Sequence, residues 1–194
     1  TRSWRNMNPT RTNFGEDEPH GVFAFSYASD YDPVSRKVYL ESTMGFYEYD
    51  YDANTWTKLV DIYSLGGTWS ERTGVVVPTR RIFVSVADGR VAVYGLDAPS
   101  YELWTTTGGA ALVGALAPGL AYDPTTDGVV GWANGSVYRL DLDTRAWTAV
   151  GTPFTSQDPY ADKIYGRWAY LPAEDAFLVV PGVEEDARVF KNSP

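Results

Sequence analysis

Short apolar runs alternate with turn residues along the whole chain, and the pattern repeats with a nearly constant period. Each unit begins with a strand that ends at a proline, and Pro33, Pro78, Pro124 and Pro172 lie 45, 46 and 48 residues apart. Proline fixes φ, and an aspartate before it can accept backbone hydrogen bonds, so segments such as Asp32-Pro33 predict turns. The period therefore predicts four structural repeats.

The segments after these turns have the pattern of β-strands. The second strand of each unit is rich in β-branched and aromatic residues, at 37–40, 81–86, 128–132 and 176–180. We interpret the third strand, at 46–50, 91–94, 137–141 and 188–190, as having a period of two, which is typical of a strand with one buried face. Between them we predict tight turns at Met44-Gly45, Asp88-Gly89, Asn134-Gly135 and Pro181-Gly182.

A tryptophan marks the fourth strand of each unit, at Trp56, Trp104 and Trp147. The last unit breaks off before this strand, while the chain begins with a matching segment around Trp4. A large ring at the same place in every unit predicts packing between sheets rather than ligand stacking. The missing strand predicts that the N-terminus completes the last unit and removes an open sheet edge.

A repeat of this length built from four short strands predicts an all-β fold, a small β-propeller. We expect one domain over residues 1–194 with four four-stranded blades, the last closed by the N-terminal strand. The expected blade boundaries are about 20–60, 70–108, 117–151 and 164–194 plus 1–8. Two alternatives remain open: a fragment of a larger propeller, and two chains that combine into one larger ring.

Two segments resemble the second half of a kelch repeat. In 46–56 and 137–147, an aromatic residue, an aspartate-containing turn and a tryptophan follow one another at kelch-like spacing. The glycine pairs of this chain, Gly66-Gly67 and Gly108-Gly109, fall in the connections between blades. The resemblance implies a propeller. It also implies a range of functions that includes protein-binding platforms, glycan-associated domains and occasional oxidases.

Charge and composition narrow the range of partners. The net charge is -9, and an acidic surface repels phosphate backbones, so we expect no nucleic-acid partner. No apolar stretch approaches the roughly 20 residues that span a bilayer, so we expect no membrane span. No signal peptide is visible and no initiator methionine is present, so we expect a mature or excised product. An extracellular or cell-surface location is the expectation.

Little catalytic chemistry is visible. The chain has no cysteine and a single histidine, His20, in an acidic loop, which excludes the Tyr/His/Cys copper site of propeller oxidases. The segment 50–54 resembles the start of a calcium loop, but Thr55 stands where that loop needs glycine, so we interpret it as a turn. We predict no catalytic residue, no metal and no cofactor.

The long connections between blades should share one face with the turns between second and third strands, and function tends to lie on such loops. They carry the candidate ligand-binding residues Trp69, Tyr63, Arg72, Tyr160, Tyr165 and Arg167. We further expect Arg72, Tyr27 and Arg167 to line the central channel.

Two classes of function remain open. The first is a non-enzymatic binding or assembly module that presents the loop face to a protein or glycan partner, with self-assembly possible. The second is a polysaccharide-acting enzyme, a glycosidase or lyase, with its site at the central channel. A cluster of ionisable side chains at the channel mouth would favour the enzyme.

Overall fold

The computed structural model describes residues 27–62, 71–151, 153–154, 156, 163–182 and 184–191. Within these ranges the chain forms fifteen strands and one short helix, α1 (Ala110–Val113). The strands are β1 (Ala28–Asp32), β2 (Lys37–Glu41), β3 (Phe46–Asp50), β4 (Thr55–Val60), β5 (Thr73–Val77), β6 (Ile82–Ala87), β7 (Arg90–Gly95), β8 (Ser100–Trp104), β9 (Gly119–Asp123), β10 (Gly128–Ala133), β11 (Ser136–Asp141), β12 (Ala146–Val150), β13 (Trp168–Leu171), β14 (Ala176–Val179) and β15 (Arg188–Lys191).

Consecutive strands pair antiparallel and build four separate sheets. Blade 1 is β1–β4, blade 2 is β5–β8, blade 3 is β9–β12, and blade 4 contains β13–β15. The first strands are innermost: β1 packs on β5, β5 on β9 and β9 on β13, and all four line one cavity. The protein is thus a four-bladed β-propeller, which confirms the predicted fold class. The strand expected from residues 1–8 lies outside the described residues.

The apolar core lies between blades. Strand side chains alternate between the two faces of a sheet, so each blade can pack against both neighbours. One buried cluster joins blades 1 and 2 through Phe46 and Phe83, a second joins blades 2 and 3 through Val84 and Leu140, and a third joins blades 3 and 4 through Trp132 and Phe177.

The recurring tryptophans have different environments. Trp147 is buried in the cluster between blades 2 and 3. Trp56 is half-buried and lies 4.9 Å from the Tyr49 ring of its own blade, measured between ring centroids. Trp104 is half-buried under the Arg145 guanidinium of blade 3. Trp147 and Trp104 therefore pack between blades 2 and 3, whereas Trp56 packs within its blade.

Two of the four predicted tight turns are confirmed. Asp88-Gly89 and Asn134-Gly135 have positive φ at both central residues (47° and 80°, 51° and 81°), as a type I′ hairpin requires. The other two predictions were wrong. In blade 1 the connection spans residues 42–45, where the Ser42 hydroxyl accepts backbone N–H bonds from Met44 and Gly45. In blade 4 it spans residues 180–187.

The first-to-second-strand turns form the face opposite the loops, here called the turn face (residues 33–36, 78–81, 124–127 and 172–175). Two adjacent arginines on it reach in opposite directions. Arg81 pairs with Asp32 of blade 1 at 2.7 Å, and Arg80 pairs with Asp127 and Asp143 of blade 3. This adjacent pair of arginines is thus engaged by carboxylates of both neighbouring blades.

Candidate functional site: the loop face and the central channel

Two connections between blades, at 105–118 and 151–167, are joined to second-to-third-strand turns by backbone hydrogen bonds of their described residues. Gly89 donates to the Val113 carbonyl at 2.8 Å, and Phe154 donates to the Gly135 carbonyl at 2.9 Å. A third bond runs between two connections, from the Ile164 N–H to the Ala117 carbonyl at 2.8 Å. These segments therefore share one face, here called the loop face, as the sequence predicted.

The blades enclose a central channel of about 460 Å³. Its wall is formed by the first strands of all four blades and the residues that lead into them: 27–30, 72–75, 120–122, 165–166 and 168–170. Tyr27 and Arg72 are among these residues, as expected. Aromatic side chains contribute much of the wall.

Asp30 places a carboxylate in the wall of this channel. Its oxygens accept backbone N–H bonds from Val76 and from Tyr31, each at 2.8 Å. Burial raises the pKa of Asp30, and the two backbone hydrogen bonds oppose that rise without cancelling it. At the matching position before the proline turn, the other blades carry Val75, Ala121 and Ala169. Of the four blades, only blade 1 therefore has an acidic residue at this position.

A polar bridge lies at the loop-face end of the channel. The Tyr165 hydroxyl donates to Glu71, and the Lys163 ammonium lies 3.4 Å from the same carboxylate oxygen. Glu71 leads into blade 2 and Tyr165 into blade 4, so the bridge joins blades on opposite sides of a four-membered ring. Because Tyr165 is among the lining residues, this bridge borders the channel mouth.

Arg72 is held deep between blades 1 and 2. Its guanidinium lies 2.7 Å from Glu41 Oε1, and both side chains are at most 2% exposed. The Tyr94 hydroxyl donates to the same Glu41 oxygen at 2.9 Å. Burial, followed by the neighbouring Glu41 charge, raises the pKa of Tyr94 far above its ordinary value, so this hydroxyl remains a donor. Glu41 Oε2 is buried and has no hydrogen-bond partner among the described residues.

Arg167 is not among the channel-lining residues. Its guanidinium donates to the carbonyls of Ile164, Pro181 and Lys163 at 3.3, 3.1 and 2.8 Å. It thereby fastens the entry to blade 4 to the connection between β14 and β15. The expectation that Arg167 lines the channel was wrong, because its charge is directed to backbone carbonyls.

The six candidate residues are thus distributed unevenly. Arg72 and Tyr165 lie at the channel, and Arg167 lies beside it. Tyr63, Trp69 and Tyr160 fall outside the described residues, as does His20. Sequence reasoning missed Asp30, Glu41 and Glu71, although comparison of the four units in register would have shown that Asp30 replaces a small or apolar residue.

The described ranges contain no group of three or more His, Cys, Asp or Glu side chains arranged to hold a metal ion. They also contain no helix of the length and apolarity needed to cross a membrane. At the calcium-like segment, Asp50 accepts the Ala53 N–H at 2.8 Å, and Asn54 has a φ of 56°, which is the geometry of a turn.

Comparison with solved structures agrees with this architecture. The WD40 repeats of RRP9 share 13% identity with the chain at a TM-score of 0.62, over 87% of this chain and 48% of that one. An auxiliary nutrient binding protein from Bacteroides thetaiotaomicron shares 11% at 0.56, over 84% and 44%. A nidogen/laminin complex shares 13% at 0.54, over 85% and 64%.

At these identities the likeness shows the fold alone. No protein-family model matches the sequence, and no curated protein matches it either. The chain spans about half the length of the first two structures and just under two thirds of the third. The class of protein is therefore the β-propeller, and its function must be argued from the site.

Proposed function

We propose that this propeller is a non-enzymatic binding module, with kelch-like repeats, that holds a protein partner on its loop face. The observation that carries the proposal is the pair of backbone hydrogen bonds that joins described residues of two loop-face connections to the blade turns. A surface fixed in this way loses little conformational entropy when a partner binds, which favours affinity. Propellers similar in fold include one in a nidogen/laminin complex.

The chemistry of the arginines supports binding over catalysis. An enzyme that acts on acidic polysaccharide needs cationic side chains directed at its substrate. Arg72 is buried against Glu41, and Arg167 donates to three carbonyls, so both guanidinium groups serve the scaffold. Glu71, Tyr165 and Lys163 do form a cluster of ionisable side chains at the channel mouth, which is the feature expected of the enzyme, but their polar groups are paired with one another.

The loop face carries exposed side chains suited to a test. Ala111 of α1 and Glu184 of the β14–β15 connection are exposed there, while Ala173 and Glu174 are exposed on the turn face. These residues give two matched pairs of substitutions. Ala111→Arg and Glu184→Arg alter the loop face, and Ala173→Arg and Glu174→Arg make the same chemical changes on the turn face.

The experiment is affinity capture from an extract of the native cells, with quantitative mass spectrometry across the four variants. We expect a protein captured by the wild type to fall at least tenfold with the loop-face variants and to stay unchanged with the turn-face variants. Equal capture by all four variants would refute the proposal. If a purified oligosaccharide binds the wild type but not Trp69→Ala, the partner is a glycan instead of a protein.

A further inference from the structure

The central channel has the size and lining of a small-molecule site that is separate from the loop face. Its volume of about 460 Å³ falls within the roughly 300–1,000 Å³ typical of ligand pockets. Tyr27, Tyr122, Tyr165, Trp168 and Tyr170 contribute to the wall. Aromatic rings attract cations through the negative charge of their faces.

Asp30 places a carboxylate in this aromatic wall. Among the described residues, its donors are the backbone N–H groups of Val76 and Tyr31, and no ion pair between those residues includes it. Each carboxylate oxygen can accept more than one hydrogen bond, so Asp30 keeps acceptor capacity toward the channel.

The other charges at the channel are matched within the protein. Arg72 pairs with Glu41, and Lys163 lies beside Glu71. Asp30 therefore leaves a negative charge in the channel that these pairs do not neutralise. A half-buried charge of this kind favours a ligand of opposite sign, because water solvates it poorly there.

We propose that the channel binds a small organic ammonium ion. The carboxylate of Asp30 faces the charged nitrogen, and the aromatic wall contacts the alkyl groups. A bare metal ion fits this lining less well, because calcium takes six to eight oxygen ligands and Asp30 is the one acidic side chain among the lining residues. The inference does not depend on a protein partner at the loop face.

The test is isothermal titration calorimetry of the whole chain with choline and with its uncharged carbon analogue, 3,3-dimethylbutan-1-ol. The two probes have nearly the same shape and differ in charge. We expect choline to bind at least tenfold more tightly than the alcohol. Equal affinity for the two probes, or no heat of binding with choline at tens of millimolar, overturns the proposal without any variant.

Variants then assign the site. Asp30→Asn should lower choline affinity at least tenfold, whereas Asp52→Asn, an exposed acid in the β3–β4 turn, should leave it unchanged. Ala169→Phe tests the same site by filling the channel from blade 4 while keeping Asp30, and it should also abolish binding. Choline binding that survives either Asp30→Asn or Ala169→Phe in a folded protein places the ligand elsewhere and refutes the assignment.

Discussion

Breaking the buried pair between Arg72 and Glu41 should destabilise the propeller far more than breaking an ion pair near the surface. Both side chains are at most 2% exposed, and their charged atoms lie 2.7 Å apart. Arg72→Met leaves the Glu41 carboxylate buried, with the Tyr94 hydroxyl still donating to it. Removing one partner of such a pair costs about 3–5 kcal/mol of the free energy of unfolding.

The same cost can be expressed as a melting temperature. For a chain of this size, each kcal/mol lowers Tm by about 2–4 °C, so Arg72→Met should lower it by roughly 6–20 °C. Glu41→Gln should have an effect of the same sign and order, because it leaves the guanidinium without a countercharge. The double variant should lose less than the sum, with a coupling of about 2 kcal/mol, because neither residue then keeps an unpaired charge.

Blade 1 offers a matched control. Lys37 and Glu48 also have their charged atoms 2.7 Å apart, but their side chains are 27% and 17% exposed. Water screens that pair, so Lys37→Met should cost about 1 kcal/mol or less. Urea unfolding of the variants measures all these differences. A cost below 1 kcal/mol for Arg72→Met, or additive effects in the double variant, would refute the assignment of Arg72 to the scaffold.

Three more predictions follow from other parts of the fold. Gly135 and Gly89 have nearly the same positive φ, but a Cβ at Gly135 would overlap the Phe154 carbonyl, whereas one at Gly89 has open space. Gly135→Ala should therefore cost clearly more free energy of unfolding than Gly89→Ala, for which about 1 kcal/mol is expected, and equal costs would contradict this. Phe83→Ala should cost about 3–5 kcal/mol in urea unfolding, because the side chain is fully buried between blades 1 and 2. Asp32 should stabilise the fold above about pH 4 and lose that effect as the pH falls through its pKa. Burial opposes its ionisation, but hydrogen bonds from Ser35 and Arg81 outweigh burial and lower the pKa. The stability gap between wild type and Asp32→Asn should therefore shrink from pH 6 to pH 3, and a constant gap would contradict the reasoning.

The architecture was predictable because its signals are local. The pattern within 46–50 and the dipeptides Asp88-Gly89 and Asn134-Gly135 each determine a few neighbouring residues, and β3 and both turns formed where predicted. The expectation of one buried face was wrong, because Phe46 and Tyr47 are both buried between blades that pack on both faces. The dipeptides Met44-Gly45 and Pro181-Gly182 also predicted tight turns, but the strands there are connected differently. In blade 1 the Ser42 N–H donates to the Gly45 carbonyl and the Ser42 hydroxyl accepts from Met44 and Gly45, which centres the turn one residue earlier, on 43–44.

The site was less predictable because it depends on residues far apart in sequence. Arg72 suggested a ligand contact, yet Glu41, thirty-one positions earlier, neutralises it inside the protein. Nothing in either local segment shows that pairing. Asp30 could have been recognised from the sequence, because the four units can be compared in register. Its Val76 donor, however, becomes visible only when blade 2 packs against blade 1.

The sharing of each apolar cluster by two blades has a consequence for biosynthesis. An isolated blade would expose to water the apolar side chains that it normally buries against its neighbours. It therefore has little hydrophobic driving force to fold alone. Two consecutive repeats must therefore emerge from the ribosome before either can bury its apolar side chains against the other. For the same reason, a protease cut in the connection at residues 105–118 would leave two pieces that stay associated instead of releasing a folded half.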